Sequence, residues 1–214
     1  MSDPSTSGAP GAPPVRLGIH GSPHLASAIV RAAGRAESDV RMVGYDVEDP
    51  FRGLRAKELD VMIVKYGPRE PDLAVSRPVA YDPRAAIVGA HHPLATRASV
   101  SVEELADYDA FRRPGTFPAS VWDEVVPPRT PAGRAIPRRH DMGTVRGLME
   151  LLARTDAVHI SFQSLDTITP PHIKVVPIED LPPAPVALAW LREPGPAAHI
   201  RQFITDAENG STTR

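Results

Sequence analysis

Arg84-Ala-Ala-Ile-Val-Gly-Ala-His-His-Pro-Leu-Ala-Thr-Arg-Ala-Ser-Val-Ser-Val-Glu-Glu-Leu-Ala-Asp-Tyr108 is the stretch on which the reading of the fold turns. Its first part, Ala85 to Ala90, is a short apolar strand. His92-Pro93 is a turn, because proline drives the residue before it out of the helical region. Ser101, followed three residues later by Glu104, forms a capping box that opens a short helix. A strand, a turn and a capped helix in this order describe a chain leaving one sheet and starting another unit.

Upstream, Val15-Arg-Leu-Gly-Ile19 is a strand that stops at His20-Gly21-Ser22. Pro23 to Ala33 follows with Leu25, Ala28, Ile29 and Ala32 at helical spacing, Ser22 as N-cap and Pro23 in the first turn. Val40, Met42 and Val43 mark a second strand, and Asp49-Pro50 opens a helix through Phe51, Leu54 and Arg55. Leu59 to Val64 is almost continuously apolar, as a parallel strand buried on both faces requires. The alternation β-α-β-α-β implies right-handed crossovers and a parallel sheet. Leu73 to Tyr81 and Arg84 to Ala90 read as two strands around the turn Asp82-Pro83.

Downstream of the quoted stretch, strands are expected at 110–112, 135–140, 157–161, 173–178 and 186–191. Helices are expected at 118–125, 144–153 and 197–207, the second with Val145, Leu148, Met149 and Leu152 on one stripe.

The chain has 214 residues, 42% hydrophobic and 23% charged, an ordinary globular composition. A formal net charge of −2 gives no sign of a nucleic-acid binder. Cysteine is absent, which excludes disulfides, thiolate metal sites and a cysteine nucleophile. No apolar run is long enough to cross a bilayer, and Met1 to Pro14 lacks the basic flank and apolar core of a signal peptide. The expectations are a cytoplasmic protein, no membrane contact and a dispensable, disordered tail over 1–14.

Five stretches, in order and spacing, resemble the effector-binding domains of LysR-type transcriptional regulators. They are Val15 to Ile19 with its Ser22 loop, Leu54 to Val64, the His92-Pro-Leu-Ala95 crossing, Gly143 to Leu152, and Val175-Val-Pro-Ile-Glu-Asp180 before the Trp190 strand. The resemblance implies an α/β periplasmic-binding-protein type 2 fold with two lobes, each a doubly wound mixed sheet with flanking helices. Lobe I would comprise 15–90 plus 179–207 and lobe II 91–178, with a second disordered tail at 208–214. The sequence departs from the family in having only the tail ahead of the first strand, where a DNA-binding half is usual, and Arg154-Thr-Asp-Ala-Val158 where a glycine-rich turn is usual. No direct, sequence-selective DNA binding is expected. The resemblance also implies a homodimer, with the stripe Leu25, Ile29 and Ala32 on one side, or pairing with a full-length LysR-type regulator.

Ligands in doubly wound lobes sit at the carboxyl ends of strands, against the free N–H groups of the next helix. That rule selects Gly21, Ser22, His24, Asp46 and Val47 in lobe I, and Arg113, Thr116, His140, Thr144, Ser161 and Phe162 in lobe II. Ser22 and Thr144 also read as plain helix caps, His91 and His92 as surface residues, and His159 as a hydrogen-bonded core residue. The eight histidines offer no metal-ligand spacing, so no metal and no cofactor is expected. Three functions remain, of which the third is a truncated regulator that binds a full-length relative and blocks its oligomer. One is a free-standing sensor that closes over a small metabolite, carboxylate-bearing by the helix-dipole argument, while anionic Asp46 near the same cleft leaves a cationic or zwitterionic ligand open. The second is a cofactor-independent lyase, dehydratase or isomerase acting on a small cyclic or aromatic acid, with Ser22, His20, His24 and His140 as its catalytic groups.

Overall fold

The computed structural model describes residues 12–211. The first third folds as β1 (Val15–Ile19), α1 (Pro23–Ala32), β2 (Val40–Gly44), α2 (Arg52–Arg55) and β3 (Val61–Lys65). Both β2 and β3 pair with β1 in parallel, Val15 opposite Val40 and Leu17 opposite Val61. The apolar run of β3 is explained by its two faces. Val61 and Ile63 pack with Leu17, Ile29 and Phe203, while Met62 and Val64 pack with Phe51 and Leu54.

β4 (Leu73–Val75) and β5 (Ala80–Asp82) replace the single strand expected over 73–81. Pro78 has no N–H to give to a ladder. The Ser76 side chain bridges the gap, its Oγ accepting from the Leu188 N–H at 2.9 Å while its own N–H reaches the Leu188 carbonyl at 2.8 Å. After Pro83 the chain changes sheets. β6 (Arg84–Gly89), assigned above to lobe I, lies at the centre of a second sheet. The boundary therefore falls at Pro83 and not near residue 90.

Beyond the turn come α3 (Val102–Leu105), β7 (Ala110–Phe111), α4 (Ala119–Val125), β8 (Arg138–His140), α5 (Val145–Leu152), β9 (His159–Phe162), β10 (Ile173–Pro177), β11 (Ala184–Leu191) and α6 (Ala198–Ser211). The capping box at α3 is formed, with Glu104 Oε2 accepting from the Ser101 N–H at 3.0 Å. The first sheet runs β2-β1-β3-β11-β4 with β5 also on β11, and the second runs β10-β6-β9. β7 and β8 form a small parallel pair. The chain passes between the sheets twice, at Pro83 and between β10 and β11, so two α/β lobes face each other across a hinge.

Two further expectations change, and one stays untested. The helix expected to end at 207 continues to Ser211, so 208–211 are helical. For the N-terminal tail, residues 1–11 lie outside the described residues. The stripe offered for dimerisation is used within the chain: Ile29 is buried in lobe I, Leu25 faces the interlobe cavity, and Ala32 meets Gly210 of α6.

Candidate functional site

A cavity of about 110 Å³ lies between the lobes. Lobe I contributes Ile19, His20, Gly21 and Ser22 from the end of β1, Tyr45 and Val47 after β2, and Ile63 and Lys65 of β3. Lobe II contributes Trp122 and Val125 of α4, Leu148 and Met149 of α5, and His159, Ser161 and Phe162 of β9. The lining is predominantly apolar, the usual character of small-molecule sites. Val145 and Ile168, two of the few exposed large apolar side chains, also line it.

The charged residue of its described lining, Lys65, sits with two buried partners at the crossing between sheets. Lys65 ends β3, Asp82 ends β5 and Arg84 begins β6, so the topology gathers them at the hinge. Lys65 Nζ lies 2.8 Å from Asp82 and 3.8 Å from the centre of the Phe162 ring. Asp82 also accepts from the Ser164 hydroxyl at 2.6 Å and the Ser164 N–H at 3.2 Å. Arg84 is buried, yet its hydrogen bonds go to neutral oxygens: Tyr66 Oη at 2.6 Å and the carbonyls of Glu124, Val125 and Ser161. Burial lowers the pKa values of Lys65 and Arg84, with Asp82 opposing the shift in both. Glu124 opposes the Arg84 shift as well, so Asp82 and Glu124 balance the two cations, and Lys65 is the member of the group that reaches the cavity.

The imidazoles are held neutral. His20 Nδ1 donates to the Tyr45 carbonyl at 3.3 Å, and its pKa is lowered by burial, with nearby Lys65 adding to the effect. His159 is pressed down to about 3 by burial, with His20 and Arg84 contributing. It stacks on Trp122 with centroids 6.4 Å apart and meets Phe111 edge-on at 5.4 Å. His159 was expected to be a hydrogen-bonded core residue; it is buried, but its Nδ1 has no partner.

Of the residues selected from the sequence, Gly21, Ser22, Val47, Ser161 and Phe162 line the cavity, as does His20. His24, Asp46, Arg113, Thr116, His140 and Thr144 do not. His24 is exposed on α1, Asp46 is exposed and accepts from the Glu48 N–H at 2.9 Å, and Arg113 binds the carbonyls of its own loop. Thr144 caps α5, accepting from the Gly147 N–H at 3.1 Å. His140 lies 4.0 Å from Asp109 and packs on Phe111. The four groups considered for catalysis therefore do not converge.

Ser22 and Thr116 hold the lobes together. Thr167 Oγ1 donates to the Ser164 carbonyl at 3.2 Å, so it accepts at 2.8 Å from the Ser22 hydroxyl, which itself accepts from the His24 N–H. The Thr116 N–H and hydroxyl both reach the Glu48 carbonyl, at 2.7 and 3.0 Å. A β-carbon on Gly115 would overlap that same carbonyl, so only glycine permits this approach. His92, read as a surface residue, is buried: its Nδ1 accepts from the Leu94 N–H at 3.1 Å and caps the turn at Pro93.

The rule of strand ends could have found Lys65, which closes the apolar run read only to Val64. Trp122, Asp82 and Arg84 carried no local signal, because their partners are distant in sequence.

No metal-binding cluster and no helix long and apolar enough to cross a membrane occur among the described residues. Fold and site together define a two-lobed α/β effector-binding domain of the periplasmic-binding-protein type 2 kind. The chain belongs to the LysR substrate binding domain family, whose sequence profile matches residues 14–209. CbnR, a LysR family transcriptional regulator, superposes with a TM-score of 0.69 at 17% identity, over 92% of this chain and 69% of that one. The BenM effector binding domain with its effector benzoate gives 0.64 at 14% identity, over 92% and 91%. The effector binding domain of QuiR in complex with shikimate gives 0.64 at 18%, over 94% and 97%. At these identities the structural likeness carries the fold alone. A search of curated proteins found no match. Membership of this family makes the chain a substrate-binding domain.

Proposed function

We propose that the interlobe cavity receives a small monoanionic acid with an apolar body, its carboxylate toward Lys65. One observation carries this reading: Lys65, held by Asp82 at 2.8 Å, is the charged side chain in the otherwise apolar described lining of the cavity. In a water-poor site that charge favours an anion more than it would in solution. The volume is somewhat below the roughly 150 Å³ cavity that admits benzene, which sets the scale at one ring or a short chain. Benzoate and shikimate, bound by the domains of BenM and QuiR, supply natural probes.

Titration calorimetry and thermal unfolding with benzoate, shikimate and the uncharged isostere benzamide test the reading. Benzoate or shikimate is expected to bind and benzamide to fail. At about a hundredfold excess over Kd the stabilisation should approach 2.7 kcal/mol. Equal binding of benzoate and benzamide would show that the hinge charge does not select the ligand.

Of the four groups weighed for catalysis, only His20 and Ser22 line the cavity. His24 and His140 lie away from the cavity lining, and the Ser22 hydroxyl hydrogen is committed to Thr167.

A further inference from the structure

The lobe II wall of the cavity contains two buried polar groups that no protein atom satisfies. Trp122 Nε1 and His159 Nδ1 lack any hydrogen-bond partner, and both side chains line the cavity. Their rings stack at 24° and His159 is braced edge-on by Phe111, so neither ring is free to turn toward another partner. Buried polar groups are nearly always satisfied, and an unsatisfied one calls for a ligand or a functional reason. His159 precedes Ser161 by two residues on β9, and alternation along a strand presents both on one face.

We infer that His159 is the specificity determinant for a second, uncharged polar group on the ligand, a hydroxyl received beside Trp122. The inference rests on the cavity being the acid-binding site proposed above. A hydroxyl both donates and accepts, so it matches the imidazole in either tautomer, and it accepts from an indole N–H that can only donate. A second carboxylate is disfavoured here, because the imidazole is held neutral by burial and offers no compensating charge. The ligand class narrows from small monoacids to hydroxylated monoacids, with dicarboxylates excluded.

The test compares benzoate, its three monohydroxy isomers and the three benzenedicarboxylates by calorimetry on the full chain. One hydroxy isomer is expected to bind about 5- to 10-fold more tightly than benzoate, the worth of one hydrogen bond. The dicarboxylates should bind more weakly than benzoate. In His159→Phe, which keeps an aromatic ring against Trp122 and Phe111, the ratio between that isomer and benzoate should fall at least about twofold toward one, with the Trp122 N–H left as a donor. If the phenyl ring fills the cavity and blocks all binding, His159→Ala carries the same comparison, and the hydroxyl's advantage must fall there too. Benzoate binding with no hydroxy isomer favoured overturns this inference and leaves the acid-binding reading intact. So does a dicarboxylate that matches the best isomer, or a preference that survives both substitutions undiminished. Absence of binding by every acid overturns both readings.

Discussion

At the scale of single residues, the site is made by side chains whose ordinary roles were displaced. Ser22 is an N-cap, yet its hydroxyl proton goes to Thr167 in the other lobe. Ser22→Ala should cost about 1–2 kcal/mol, combining a lost cap with a lost hydrogen bond. A double-mutant cycle with Thr167→Val, read by urea unfolding, should return a coupling of at least 0.5 kcal/mol; additive effects would mean that the interlobe bond contributes nothing. His159 works in the opposite direction. Its Nδ1 is buried without a partner, a condition that costs roughly 1–3 kcal/mol. His159→Phe in the ligand-free protein is therefore expected to gain about 1 kcal/mol, raising Tm by about 2–4 °C for a chain of this size. A lower Tm would show that the imidazole is better satisfied than its surroundings indicate.

At the scale of elements, the close approach of α1 and α6 makes a prediction against intuition. Replacing glycine by alanine within a helix ordinarily stabilises it by up to about 1 kcal/mol. At Gly210 the added carbon would strike the Ala32 backbone carbonyl, which cannot move aside without shifting α1. Gly210→Ala should destabilise by about 1–3 kcal/mol, the range for overpacking, with unfolding midpoints in urea as the measurement. This contact also explains one limit of the sequence. The helix expected to end at 207 runs on because Gly210 admits a neighbouring helix at close range, a contact that no local pattern shows. Most elements were legible because apolar periodicity is a local signal, and the strand-end rule reached Gly21, Ser22, Val47, Ser161 and Phe162. The split at Pro78 was legible in principle, since the proline was in view. The transfer of β6 to the second sheet was not, because strand pairing is decided by partners almost ninety residues away, Val175 against Ile87 among them. The charged hinge and the Trp122–His159 stack escaped for the same reason.

At the scale of the whole molecule, closing two lobes over an apolar cavity buries imidazoles, and that sets how the protein meets acid. His159 has its pKa pressed to about 3 in the folded chain, against an ordinary value of about 6.5, and His20 is lowered as well. Above pH 6.5 both rings are neutral whether the chain is folded or not, so they add no pH dependence. Below it the unfolded chain takes up protons that the folded chain refuses, and stability falls as pH falls, by about 1.4 kcal/mol per pH unit for each ring held neutral. His159 contributes over the whole interval down to about pH 3. Asp60, where burial is outweighed by bonds to Arg16, and Asp72, bonded to Arg55, have lowered pKa values and add their own loss only in stronger acid than His159 and His20. Urea unfolding at pH 7.5, 6.5, 5.5 and 4.5 should therefore give a plateau followed by a steady decline. In His159→Phe the decline between pH 6 and 4.5 should be shallower by about 1.4 kcal/mol per pH unit, because one refused proton has been removed. Parallel curves for the two proteins would mean that His159 titrates as freely in the folded chain as in the unfolded one, and that lobe II opens to admit the proton without unfolding.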